Sequence, residues 1–184
     1  MALRNRRART EKKDEVTADD RPDEANDMFV EENKSIVLKF IEELWNGRKL
    51  DLADELFDEH CVTHQLGIGN DPAGTPRGPQ AMKHHVSEWL ASFPDIHFTV
   101  EQMLAEGDRV MTQCIARGTH NAAWLGIPAT GRVITIQMFV VHRISDGRII
   151  EDWVLVDSLG VFQQLGLVKK SEQLIAEAAS VSSG

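Results

Sequence analysis

With 184 residues and a formal net charge of −9, the chain has room for one domain with a real core, but not comfortably for two. The acidic balance argues against a nucleic-acid partner, which calls for a basic face, and no apolar run approaches the roughly 20 residues that span a bilayer. Cys61 and Cys114 lie far apart and read as small buried apolar side chains of a reduced, cytoplasmic protein, not as a disulfide or metal site.

Residues 1–31 are dense in both charge signs and nearly lack large apolar side chains. Such a segment cannot offset its ordering entropy, which predicts a disordered arm. Arg4, Arg6, Arg7 and Arg9 precede no apolar segment, so they do not open a secretory signal. They read as a solvated patch, with docking as the alternative.

The domain is expected over residues 32–168. Ile36, Val37, Phe40, Ile41, Leu44 and Trp45 recur at helical spacing up to Gly47, read as a C-cap. Asp51 suits the N-cap of a second short helix carrying Leu52, Leu56 and Phe57. His60-Cys61-Val62-Thr63-His64 is strand-like, and a Gly/Pro/Asn-rich loop follows from Gly67 to Gly78. Pro79 opens a helix with Met82, Val86, Trp89, Leu90 and Phe93 on one face, stopping before Pro94.

From Ile96 the apolar period drops from 3.6 to 2. Strands are predicted from Ile96, at about Arg109–Gly118, Arg132–Arg143 and Arg148–Val156. Residues 169–184 carry one weak helical patch, Leu174 to Ala179, in an expected flexible tail. Helices first and a long antiparallel sheet afterwards indicate an α+β fold, with N-terminal helices packed on one face of a curved sheet. Ser145-Asp146-Gly147 reads as a three-residue hairpin turn, which pairs His142 with Ile150, Val140 with Asp152 and Met138 with Val154. Strand parity then puts Ile136, Met138, Val140, His142, Ile150, Asp152 and Val154 on one face.

Four motifs in unbroken order carry a resemblance: Gly118-Thr119-His120, Gly126-Ile127-Pro128-Ala129-Thr130-Gly131-Arg132, Arg143-Ile144-Ser145-Asp146-Gly147-Arg148-Ile149, and Gln164-Leu165-Gly166. Between Asn33 and Val168 the chain resembles the SnoaL-like polyketide cyclases of the wider nuclear transport factor 2-like fold. The resemblance implies an α+β cone whose sheet wraps a deep apolar pocket, assembled as a homodimer or homotetramer. It also implies a cofactor-free intramolecular aldol closure of an aromatic polyketide ester. Such a closure removes a proton α to a carbonyl, and a carboxylate in an apolar pocket has its pKa raised toward that task. Aligned on this sequence, however, the family's acid/base aspartate falls on Val154 and its partner histidine on Val140, and valine transfers no proton.

With the inward row as the pocket face, His142 and Asp152 become diagonal neighbours near the mouth, either a relocated acid/base pair, or a rim ion pair or two solvated groups. His64, after the first strand-like segment, is read as facing the pocket, as a ligand or proton-transfer group, or as a loop cap. Asp157 suits an N-cap or a catalytic role. Trp124 could form a lid, and His120 a part of the pocket rim. Met138, Val140, Ile150 and Val154 are the expected apolar ligand contacts.

Zinc finds neither an H-E-x-x-H helix nor a cysteine pair, and nucleotide cofactors find no glycine-rich phosphate loop, so no metal and no cofactor is expected. The expected activity is that of a cofactor-independent cyclase or isomerase on an apolar, carbonyl-containing, polyketide- or terpenoid-like molecule. The alternative is a non-catalytic apolar-ligand-binding or assembly module of the same fold.

Overall fold

A computed structural model describes residues 24–66 and 73–181; residues 1–23 of the expected arm lie outside them. Helix α1, Glu24–Lys39, opens inside that expected arm and runs on into a wider π-helical coil, Phe40–Asn46. The wide coil buries Phe40, Ile41, Leu44 and Trp45 together. Its last residue, Asn46, replaces a strand partner: its amide donates to the Phe98 carbonyl at 2.9 Å and accepts from the Phe98 N–H at 2.8 Å. Gly47 is the C-cap as read, but with right-handed φ; Arg48 holds the positive φ, at 60°. The second helix is a 3-10 turn, Leu50–Leu52, leading into α2, Ala53–Leu56. Asp51 does not cap it and instead accepts from Lys83 at 3.2 Å.

Strand β1 is Phe57–Leu66 and β2 is Thr75–Pro76, followed by α3, Pro79–Ser92, which opens on Pro79 as predicted. The remaining strands are β3 His97–Glu106, β4 Arg109–Thr119, β5 Val133–Ser145 and β6 Arg148–Val156. They form one six-stranded sheet in the order β2-β1-β6-β5-β4-β3. The fold is the expected α+β arrangement, with one refinement: β1 runs parallel to β6, while the other neighbours are antiparallel. Helix α4, Ser158–Leu165, follows the sheet. Helix α5, Ser171–Val181, is longer than the weak patch seen in the sequence and lies where a tail was expected.

The β5–β6 hairpin corrects the predicted register. Asp146 and Gly147 both have positive φ, 50° and 74°, so the turn has two residues and Ser145 faces Arg148. Two successive positive φ values define a type I′ turn, whose twist matches the strands it joins. The pairing then shifts between Ile144↔Ile149 and Arg143↔Glu151, leaving Ile150 as an extra residue on β6. Beyond this bulge His142 lies directly opposite Asp152, Val140 opposite Val154 and Met138 opposite Val156. The core gathers between the helices and the concave face, with Val37, Leu44, Phe57, Val86, Phe93, Ile134 and Ile149 fully buried.

Candidate active site

The concave face of the sheet and the helices leave a deep chamber of about 120 Å³. One wall is the inward row of β5 and β6: Ile136, Met138, Val140, His142, Asp152, Val154 and Val156. Opposite stand Phe40, Ile41 and Trp45 from the π-helical coil, which turns all three toward the sheet. An outer chamber of about 500 Å³ continues from it, and both are lined by Gln65, His85, Trp89 and Val156. Ligand pockets are commonly about 300–1,000 Å³, so the inner chamber alone suits only one end of a polycyclic ligand.

His142 and Asp152 lie at the end of the row away from the outer chamber, only 2% and 3% exposed. This corrects the expected place near the mouth and removes the readings as a rim ion pair or as two solvated groups. His142 Nδ1 stands 3.9 Å from Asp152 Oδ2. That is an ion-pair distance too long for a hydrogen bond, so neither atom satisfies the other. Nδ1 of His142 and Oδ1 of Asp152 are both buried without partners, as are the hydroxyls of Thr63 and Thr112 on the same chamber wall. Buried polar atoms are normally paired, so this patch of open donors and acceptors stands out as the candidate ligand-contacting part of the chamber.

Burial pushes the Asp152 carboxyl up from 3.8 to about 6, against an opposing pull from Thr63, Arg77 and His64. The Thr63 hydroxyl faces that carboxylate across the β1–β6 pair without closing a hydrogen bond to it. Burial alone drives the His142 imidazole down to about 4. Near neutral pH the site therefore holds a neutral imidazole beside a carboxylate poised to accept a proton. The edge of the Phe40 ring packs on His142, with centroids 5.8 Å apart, and holds the imidazole in place.

Several sequence-read positions move. His64 does not line either chamber: β1 turns Thr63 and Gln65 inward and His64 outward, where its Nε2 meets Glu151 Oε1 at 2.8 Å. It also stacks on Trp153, with ring centroids 5.3 Å apart. Ile150 is the bulge residue and leaves the inward row, so it does not line the chamber. His120 is not at the rim. It is fully buried, stacked on Phe93 at 5.1 Å, with Nδ1 3.1 Å from Thr130 Oγ1. Its Gly-Thr-His motif closes the following loop instead: the His120 N–H donates to Arg132 and its carbonyl accepts from Gly131, each at 2.9 Å. Asp157 lines neither chamber and accepts from the Gly160 N–H at 2.9 Å, as an N-cap does.

Trp124 lines the outer chamber, against Trp89 at 5.0 Å. Met138, Val140 and Val154 line the inner one. Sequence reasoning missed Thr63, Gln65, Arg77, His85 and Thr112 on the chamber walls. The β1 alternation could have found the first two, because fully buried Cys61 and its even-spaced successors share a face. His85, edge-on to Trp45 at 6.0 Å and held down to about 4 chiefly by burial, stands at the junction of the chambers. Among the described residues no group of three or more His, Cys, Asp or Glu could hold a metal ion, and no helix is long and apolar enough to cross a membrane.

A curved sheet capped by helices over a two-chamber, mainly apolar cavity with a buried His–Asp pair defines a cone-fold small-molecule protein. Within that class, the chain belongs to the SnoaL-like polyketide cyclase family, whose profile matches residues 35–165. Aklanonic acid methyl ester cyclase DnrD of Streptomyces peucetius is 29% identical over 135 residues, covering 71% of this chain and 88% of that one. The crystal structure of IdmH, a putative polyketide cyclase from Streptomyces antibioticus, superposes with a TM-score of 0.62 at 34% identity, covering 73% of this chain and 98% of that one. AclR, a putative hydroxylase from Streptomyces galilaeus, has a TM-score of 0.68 over 84% of this chain and 93% of its own, but 21% identity shows the fold alone. At the level of the family, these relatives support a cyclase or isomerase role.

Proposed function

We propose that the chain is a cofactor-independent cyclase of an apolar, carbonyl-containing, polyketide-like substrate, with Asp152 as general base and His142 as the neutral imidazole beside it. The observation that carries this reading is the unpartnered His142–Asp152 pair at the closed end of an apolar chamber. Asp152 removes the proton α to a carbonyl held in the inner chamber. The developing enolate oxygen then meets open hydroxyl donors at Thr63 or Thr112, and the carbon skeleton extends past Trp89 into the outer chamber. Holding the flexible chain in a reactive conformation lowers the barrier further. The pair also supports a location for the acid/base function that the valines cannot serve: His142 and Asp152 are the next inward pair beyond Val140 and Val154, about 7 Å along the strands. The assembly in this reading is a homodimer.

The test is turnover of aklanonic acid methyl ester, the compound named for the relative from Streptomyces peucetius, together with simpler aromatic β-keto esters. Cyclised product is followed by liquid chromatography and mass spectrometry. Asp152→Asn is expected to lower turnover by roughly 10²–10⁴-fold, the range of general acid–base catalysis. Full activity in both Asp152→Asn and His142→Ala would remove the pair from the mechanism. Tight binding of the esters without turnover by the wild-type chain would favour the non-catalytic module.

A further inference from the structure

The inner chamber also holds a cation to which the reading above gives no task. Arg77 is pinned from both sides along the backbone. Just before it Thr75 and Pro76 pair with Thr63 and Val62 of β1, and its own N–H donates to the Cys61 carbonyl at 2.7 Å. Just after it, Gly78 lies flush against Glu59, where any Cβ would collide with the Glu59 carbonyl oxygen. Only glycine permits this approach, so the chain turns Arg77 toward the chamber it lines. Its Nε is buried without a partner, and among the described residues its guanidinium forms no ion pair. Its charge nonetheless reaches Asp152, His85 and Cys61, which places it among the polar groups of the chamber.

Arg77 is only partly buried, and a guanidinium that faces apolar walls is stabilised when an anion joins it. Its planar fork of N–H donors matches two oxygens held side by side, as in a carboxylate or a β-dicarbonyl. The unpartnered Thr63 hydroxyl on the same wall adds a further donor.

We propose that Arg77 is a specificity-determining residue, which seats the anionic oxygen of the ligand: a carboxylate or the enolate of a β-dicarbonyl unit. This rests on the inner chamber being the ligand site of the proposed function, but not on turnover. Arg77 then fixes which end of the ligand enters first, and the apolar remainder trails past His85 and Trp89 into the outer chamber.

Binding to the full chain is measured by quenching of tryptophan fluorescence, because Trp45 and Trp89 line the inner chamber. The probes are 2-naphthoate and its methyl ester, matched in shape but not in charge. A second arm titrates benzoylacetone by its ultraviolet spectrum, which separates enol from enolate. Wild-type protein is expected to bind the naphthoate at least tenfold more tightly than its ester, or to lower the ionisation pKa of bound benzoylacetone by at least one unit. The first result identifies a carboxylate as the natural source of the charge, the second an enolate. Arg77→Met abolishes either effect while ester affinity holds within about threefold, and Arg77→Lys retains part of it.

Equal binding of acid and ester with no shift for benzoylacetone overturns the proposal, and that comparison needs no variant to fold. Effects that survive in both Arg77→Met and Arg77→Gln overturn it as well. The two readings fail separately. Loss of anion preference leaves the role of Asp152 standing, and normal turnover by Asp152→Asn leaves the anion preference untouched.

Discussion

Asp152 and His142 titrate in opposite senses, and that opposition sets two measurable pH profiles. Proton abstraction needs the ionised carboxylate, so activity rises with pH through about 6, the value to which burial pushes Asp152. A pH–rate profile with its acidic limb near 6 is expected, and one flat from pH 5 to 8 would exclude Asp152 as the base. Stability follows from linkage. Between about 4 and 6 folded Asp152 holds a proton that the unfolded chain has released, so its contribution falls as pH rises. His142 and His85, both driven down to about 4, do the reverse: the unfolded chain binds protons there and the folded one does not. Their contribution rises with pH up to the ordinary imidazole value of 6.5. In the wild type Asp152 and His142 largely cancel, leaving His85 to set the slope. Asp152→Asn removes the falling component, so denaturation between pH 4 and 6 should show a slope steeper by about 1.4 kcal/mol per pH unit. An unchanged slope would mean that Asp152 titrates as an ordinary surface carboxylate.

Strands and turns decide which of these residues meet, and here the sequence was legible in kind but not in register. Alternation along β5 identified Met138, Val140 and His142 as one inward row, and Ser145-Asp146-Gly147 identified the hairpin. The two-residue turn was legible in Asp146-Gly147, against the three residues of the sequence reading, and the bulge at Ile150 was not legible, because no residue type there marks it. Two small offsets therefore moved Asp152 from a diagonal to a direct partner of His142. On β1 a single-residue error of parity exchanged Thr63 and Gln65 for His64, since a strand with polar residues on both faces carries no clear inward signal. Arg77 was hidden for another reason: its place comes from a backbone hydrogen bond across β1, which no side-chain pattern announces. Asp157 gives a test at this scale. As the N-cap of α4 it should cost roughly 1 kcal/mol when changed to alanine, measured by chemical denaturation, with turnover near that of the wild type. A loss of turnover at unchanged stability would make it catalytic instead.

At the scale of the whole molecule, the convex face of the sheet is the counterpart of the cavity. The same alternation that turns Val140, His142, Asp152 and Val154 inward turns Phe139, Val141, Trp153 and Leu155 outward. Leu66, Leu155 and Phe139 face one another across three strands and remain 41%, 46% and 44% exposed. The adjoining outward row runs through Trp153, Val141, Met111 and Leu104, the last 61% exposed. Beyond it the Arg143–Glu151 pair at 3.2 Å and Arg109 over the Trp153 ring at 5.1 Å edge the apolar rows with charge. An apolar centre with a charged rim is the pattern of a protein interface. Two copies meeting across this face would bury their apolar rows while leaving both cavities open on the opposite side, so assembly and ligand entry do not compete. A stable contact needs about 1,200–2,000 Å² of buried surface in total, an area that a face spanning several strands can supply. Light scattering after size exclusion should therefore give twice the mass of the 184-residue chain. The double variant Phe139→Glu with Leu155→Glu should give a monomer that keeps its anion preference and its fold by circular dichroism. A wild-type chain that stays monomeric at tens of micromolar, or a double variant that stays dimeric, would place the contact elsewhere or remove it.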